Sequence, residues 1–143
     1  MPMRTGSRRP LARVAALAAA LLWLAPAPAI AQSEPIERVI GEQIEAFLAD
    51  DFEAAFGYAS PGIRSMFGDP QNFGRMVRRG YPMIWRPDSF RFEDLETVDG
   101  RLRQSVSILD RQGRAWVADY YMVKVGDDWR IDGVTLREAG LSS

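Results

Sequence analysis

The period of the apolar residues changes once along this chain, at Tyr81, and that change divides it into a helical half and a strand half. From Glu34 to Gly80 the spacing is helical. Ile36, Val39, Ile40, Ile44, Phe47 and Leu48 fall on one stripe, with Arg38, Glu42 and Glu45 opposite. A second helix is expected to start at Asp50, with Glu53 completing a capping box, and to carry Phe52, Ala55, Phe56 and Tyr58. Ser60-Pro61 and Asp69-Pro70 each pair a capping side chain with a first-turn proline. The first opens a short helix with Ile63, Met66 and Phe67. The second opens one with Phe73, Met76 and Val77 inward, Arg75, Arg78 and Arg79 outward, and Gly80 at its end.

Beyond Tyr81, Pro82 and Pro87 bracket an apolar stretch, Met83-Ile84-Trp85, that reads as irregular. Four strand-like runs follow, about 89–98, 101–110, 114–125 and 128–137. Asp99-Gly100 is a two-residue hairpin turn, and 110–113 and 126–128 are further short turns. Short turns imply an antiparallel meander. The expectation is an α+β fold with N-terminal helices packed on one face of a curved four-stranded antiparallel sheet.

The first 31 residues read as an export signal rather than as part of that fold. Arg4, Arg8, Arg9 and Arg13 precede the apolar run Val14–Leu24, and Ala29-Ile30-Ala31 offers a small-x-small cleavage site. Eleven apolar residues are too few for a bilayer core that needs about 20. Cleavage after Ala31 would leave a single domain, 32–143, with its core at about 34–137, in the periplasm and without a membrane anchor. Ser7-Arg8-Arg9 hints at twin-arginine export, but Pro10-Leu11 lacks the expected aromatic, and the general secretory route fits better.

Composition then removes whole classes of chemistry. With no cysteine and no histidine, the chain has no disulfide, no thiol nucleophile, no Cys/His zinc site and no Ser-His-Asp triad. No cofactor or metal is expected. The acidic pairs Asp50-Asp51, Glu93-Asp94 and Asp127-Asp128 lack a calcium-loop pattern. Residues 32–143 carry 14 basic and 19 acidic side chains, a net charge of −5, which argues against nucleic acid as a partner. Stability must come from packing alone.

The aromatic residues are the main candidates for a site. Tyr58, Tyr81 and Trp85 are expected near the open end of the sheet, where rings would supply apolar wall and the two phenols polar handles. Asp119 sits in the most apolar strand, on the face of Val117, Tyr121 and Val123. If that face lines the cavity, Asp119 with Tyr58 or Tyr121 could act as a general acid or base. If it is the outer face, or if an arginine from a neighbouring strand pairs with it, no such role follows. Trp116, Ala118, Tyr120 and Met122 occupy the strand's other face, so both faces carry apolar residues, as a homodimer would require. Arg75, Arg78 and Arg79 form a basic stripe, read either as a solvated helix face or as a seat for an anionic headgroup or acidic partner.

The ending Val125-Gly126-Asp127-Asp128-Trp129-Arg130-Ile131-Asp132-Gly133-Val134 resembles the last hairpin of nuclear-transport-factor-2-like domains. The body is similar to a family of short exported bacterial proteins catalogued as domain of unknown function 4864. The likeness rests on Gln43–Phe47, Asp50–Phe56, Ala59-Ser60-Pro61, Phe73–Val77, Tyr81 and the four-strand tail. The resemblance implies a cone, a curved antiparallel sheet wrapped around helices. It implies no activity. The wider superfamily contains enzymes, but their Asp, His or Arg motifs find no position-by-position match here. The leading expectation is a non-catalytic accessory domain holding a small apolar ligand or a protein segment in an aromatic-lined cavity. An enzyme built on Asp119 and a structural homodimer are the alternatives.

Overall fold

The computed structural model describes residues 28–140, together with 2, 3 and 6. The leader expected over 1–31 therefore lies almost wholly outside the described residues. Five helices precede four strands: α1 Pro28–Leu48, α2 Phe52–Gly57, α3 Pro61–Phe67, α4 Pro70–Gly80, α5 Pro82–Trp85, β1 Pro87–Val98, β2 Arg101–Asp110, β3 Ala115–Val125 and β4 Asp128–Glu138. The sheet has the order β1-β2-β3-β4, antiparallel throughout. This is the α+β arrangement that the change of period implies.

The helix stripe does what its spacing demands. Ile36, Ile40, Ile44 and Phe47 of α1 are buried, in one cluster with Val106, Ile108, Ala118, Tyr120 and Met122 from the sheet. Burying each such side chain is worth about 1.5–3 kcal/mol, so this layer dominates the stability of a domain without cross-links. Gln43 lies on the same helix face and is buried too. Its Nε2 donates to the Ala55 carbonyl, 3.1 Å away, and ties α1 to α2.

Two local expectations are corrected. The cap of α2 is Asp51, not Asp50. Its Oδ1 accepts from the Ala54 amide at 3.1 Å, so Glu53 falls one position short of a capping box. Asp50 instead adopts φ 55°, ending α1, and its carboxylate receives the Trp85 indole at 3.0 Å and Arg86 at 2.8 Å. Those donors, the indole first, hold its carboxyl below the usual range. The stretch Met83-Ile84-Trp85 is a single helical turn, because Pro82 starts α5 and Ile84 donates back to the Tyr81 carbonyl. The caps Ser60 and Asp69 bond as their sequence pattern implies, to the amides of Ile63 and Asn72.

Three register shifts bend the sheet: two in β1, between Pro87/Ser89 and Phe92/Leu95, and one in the β3–β4 pair at Tyr121/Met122. The second frees the Glu93 carbonyl, and the buried Gln104 side chain donates to it at 2.9 Å. The third makes Asp132 the extra residue, and its carboxylate accepts from Ser60 Oγ at 2.7 Å and from Arg101 at 2.9 Å. Asp99 and Gly100, at φ 51° and 77°, make the left-handed turn that their order implies. In the β2–β3 turn, buried Asp110 accepts from the amides of Gln112 and Arg114, from the Arg114 side chain and from the Trp116 indole. The indole leads the causes that hold its carboxyl below the ordinary range.

The contact between α2 and α4 leaves no slack. A Cβ on Gly74 would lie 2.7 Å from two Phe52 ring atoms. The clash should cost about 1–3 kcal/mol against a helix-propensity gain of about 1 kcal/mol, so Gly74→Ala should destabilise the protein by up to about 2 kcal/mol. Denaturant unfolding checks this; a variant more stable than the parent would show that the ring gives way freely.

Candidate functional site: an apolar pocket between two short helices and the last strand

Of the α4 residues expected inward, Phe73 and Val77 are buried and Met76 is half-buried. No α3 residue is fully buried. Ile63 and Phe67 are half-buried, and Met66 is 72% exposed. Together with Met76 and Val77 of α4 they wall a pocket of about 350 Å³, whose floor is Phe47, Ile84 and Ile131 and whose far side is Tyr81 and Val134. That volume lies at the lower end of the range for small-molecule sites. Every lining side chain is apolar apart from the Tyr81 phenol, which donates to the Val134 carbonyl across a long 3.5 Å.

The geometry of the mouth follows from the bulge in β4. The amide of Ser60 donates to the Ile131 carbonyl at 2.8 Å, and that of Ile131 to the Tyr58 carbonyl at 2.9 Å. Ser60 Oγ, donating to Asp132, accepts in turn from the Ile63 amide at 3.2 Å. The first turn of α3 is thus pinned to the strand while the rest of the helix leans over the pocket. Gly68, at φ 80°, ends α3 and allows the chain to reverse into α4.

Of the five residues expected in the site, Tyr81 alone lines this pocket. Tyr58 sits in a separate polar hollow of about 210 Å³ with Arg38, Glu42, Asp128, Trp129 and Arg130. Burial, then the neighbouring Glu42 carboxylate, raises its phenol above the ordinary range. Trp85 lies in a third hollow with Arg86, Asp110 and Arg114, its indole bonded to Asp50 and Arg86 stacked on it at 4.4 Å. The expectation that Tyr58 and Trp85 share the mouth with Tyr81 is therefore corrected. Tyr58 follows the last turn of α2, which faces α1 and the tip of β4, and Trp85 is drawn to the Asp50 carboxylate.

Asp119 and Tyr121 lie on the opposite face of the sheet from the helices, because strand alternation sends Ala118, Tyr120 and Met122 into the core. Asp119 is nonetheless buried. It accepts from Ser105 Oγ at 2.7 Å and from Arg137 Nε at 3.3 Å. Arg101 lies over the Tyr121 ring at 4.6 Å. The carboxylate is thus held by side chains of the neighbouring strands, on the sheet face away from the helices. Tyr120, read only as one more aromatic, is fully buried, and its hydroxyl has no partner among the described residues. Burial pushes that phenol well above its usual range.

What the sequence missed is the lining contributed by Ile63, Met66, Phe67, Met76 and Val134. The available signal was the pairing of two short helices, each with a methionine on its apolar stripe, which supply more apolar surface than they can bury against each other. No described helix is long and apolar enough to cross a membrane, and no acidic cluster fit for a metal ion occurs among the described residues.

A family model described as "Domain of unknown function (DUF4864)" matches residues 29–142. No curated protein matches the chain.

Since Asp119 is bonded within the sheet, Asp119→Ala should lower stability by about 1–3 kcal/mol, through the Ser105 and Arg137 donors it leaves behind. It should leave the pocket untouched. Unfolding curves alongside titration with an apolar fluorescent probe check both halves; a loss of probe binding in a folded variant would contradict the assignment.

Proposed function

The chain belongs to the DUF4864 family, a description that carries no activity, and we propose from its own geometry that it is an exported, non-catalytic accessory domain that binds an apolar ligand in the pocket under α3 and α4. The observation that carries this reading is the lining: about 350 Å³ walled by apolar side chains with one phenol as its polar group. Such a surface excludes water and orients little. It suits binding better than proton transfer, which needs a titratable group within reach of a substrate. The enzyme reading rested on Asp119 facing a cavity, and the hydrogen bonds of that residue point elsewhere.

Export is supported by the leader pattern, and the first helix is compatible with cleavage. α1 extends from Pro28, so cleavage after Ala31 would fall in its first turn. Pro35 has no amide hydrogen to donate to the Ala31 carbonyl, so the helical ladder is already interrupted there. Cleavage at that point leaves Pro35 in the opening turn of the shortened helix, where proline is tolerated, and leaves the buried stripe from Ile36 intact. Intact-mass analysis of the periplasmic form should give a chain beginning at Gln32; a mature form retaining Val14–Leu24 would overturn the localisation.

A homodimer through the outer sheet face has less to rest on. Val117, Tyr121 and Val123 are half-buried within one chain, with Arg101 stacked on Tyr121 and Arg137 bonded alongside. The face has its own cover.

The pocket is tested by filling it. Met76→Trp adds bulk at a half-buried wall position. It should weaken binding of an apolar fluorescent probe about tenfold or more, because the wall then occupies the space the probe needs, while the unfolding midpoint stays close to that of the parent. Unchanged affinity in a folded variant would remove the pocket from the account.

A further inference from the structure

The geometry points to a ligand that is a dispersed, single-chain anionic amphiphile, its alkyl tail in the pocket and its anionic head on the arginines of α3 and α4. This inference rests on the pocket reading and adds the chemical class of the ligand.

The first support is the distribution of charge. Between Tyr58 and Arg86 there are five arginines and a single carboxylate, Asp69. The rest of 32–143 has nine basic and eighteen acidic residues. The helical frame of the pocket is therefore basic in a domain that is otherwise acidic, and a focused patch of one sign attracts the opposite charge.

The second is which arginines are engaged. Six of the arginines in β1–β4 and the β2–β3 turn are ion-paired, and so is Arg86. Among the described residues six exposed arginines have no ion-paired carboxylate, Arg38, Arg64, Arg75, Arg78, Arg79 and Arg111, and four of the six lie on α3 and α4. Arg78 is occupied otherwise, stacked on Phe52 at 4.9 Å. Arg75 donates to Asn72 Oδ1 on its own helix. Arg64 follows the lining residue Ile63 directly, and Arg75 and Arg79 stand at i−1 and i+3 from the lining residue Met76. At 100° per residue both lie on the solvent side of Met76, away from Phe73 and Val77. Guanidinium forks at a rim with no carboxylate of their own match a carboxylate or phosphate head.

The third is the pocket's size and its opening. At about 30 Å³ for each methylene-sized group, 350 Å³ accepts a tail on the order of ten carbons. The opening lies beside the exposed Met66, so one end of such a ligand reaches solvent. Methionine walls adapt to a flexible chain. A ligand charged inside the pocket has nothing to meet it, since the lining holds no ionisable side chain except Tyr81.

The test is a calorimetric titration of the purified protein with octanoate, decanoate and dodecanoate below their micellar concentrations, with decanol as the neutral comparison. Affinity should rise about fourfold per added methylene until the pocket is full. Decanoate should bind about threefold to tenfold more tightly than decanol, a margin that shrinks with added salt. The double variant Arg64→Gln/Arg79→Gln should erase that margin and leave decanol binding unchanged, whereas Arg111→Gln, an exposed unpaired arginine on the β2–β3 turn, should alter neither. Equal binding of decanoate and decanol would overturn the anionic head and keep the pocket reading. Binding of neither would overturn both. Binding to phosphatidylglycerol vesicles with no affinity for dispersed decanoate would overturn the inference in favour of a membrane surface.

Discussion

One stripe of α1 against one face of the sheet holds the molecule together. Ile36, Ile40, Ile44 and Phe47 recur at helical spacing, and Val106, Ile108, Ala118, Tyr120 and Met122 alternate along β2 and β3, so each set is meaningful only when it meets the other. With no cysteine in the chain, nothing else can compensate if that contact fails. The pocket borders this layer: Phe47 belongs both to the buried stripe and to the pocket's lining.

Polar groups in the core are few and positional. Gln104 fills the carbonyl left open by the β1 bulge, Asp110 closes the β2–β3 turn, and Asp132 joins Ser60 to Arg101. Each turns a local departure from regular geometry into a fixed point. Unpaired buried polar atoms cost about 1–3 kcal/mol, so these residues have little freedom to change.

How much of this was legible depends on range. The four strands were placed to within two residues, because period-two alternation and Asp99-Gly100 are local signals. The caps at Ser60 and Asp69 were legible for the same reason. The one-residue shift from Asp50 to Asp51 was not, since Asp50 is committed to Trp85 and Arg86, more than thirty residues away. The site fared worse. Counting aromatics pointed to Tyr58, Tyr81 and Trp85 together, but an aromatic has several ways to satisfy its polar atom. Tyr58 lies beside Glu42 in a polar hollow, and Trp85 bonds to Asp50. The direction of Asp119 was stated as a choice of two faces, and only the register with Ser105 and the bond to Arg137 decides it.

The sheet never closes on itself, and an open sheet has two rims on which another chain could add as a strand. The β4 rim is interrupted at Ile131, where the Tyr58–Ser60 segment has already taken the amide and the carbonyl. The β1 rim is twelve residues long and has no such partner among the described residues, but its two register shifts break the straight row of amides and carbonyls that a second copy would need. Asp88, Arg91, Glu93, Asp94 and Glu96 add charge along the same rim, four of the five of one sign. The kinks that bend the sheet over its helices thereby also keep neighbouring molecules from zipping together at high concentration, a solubility device in a chain that has no covalent cross-link to keep it folded.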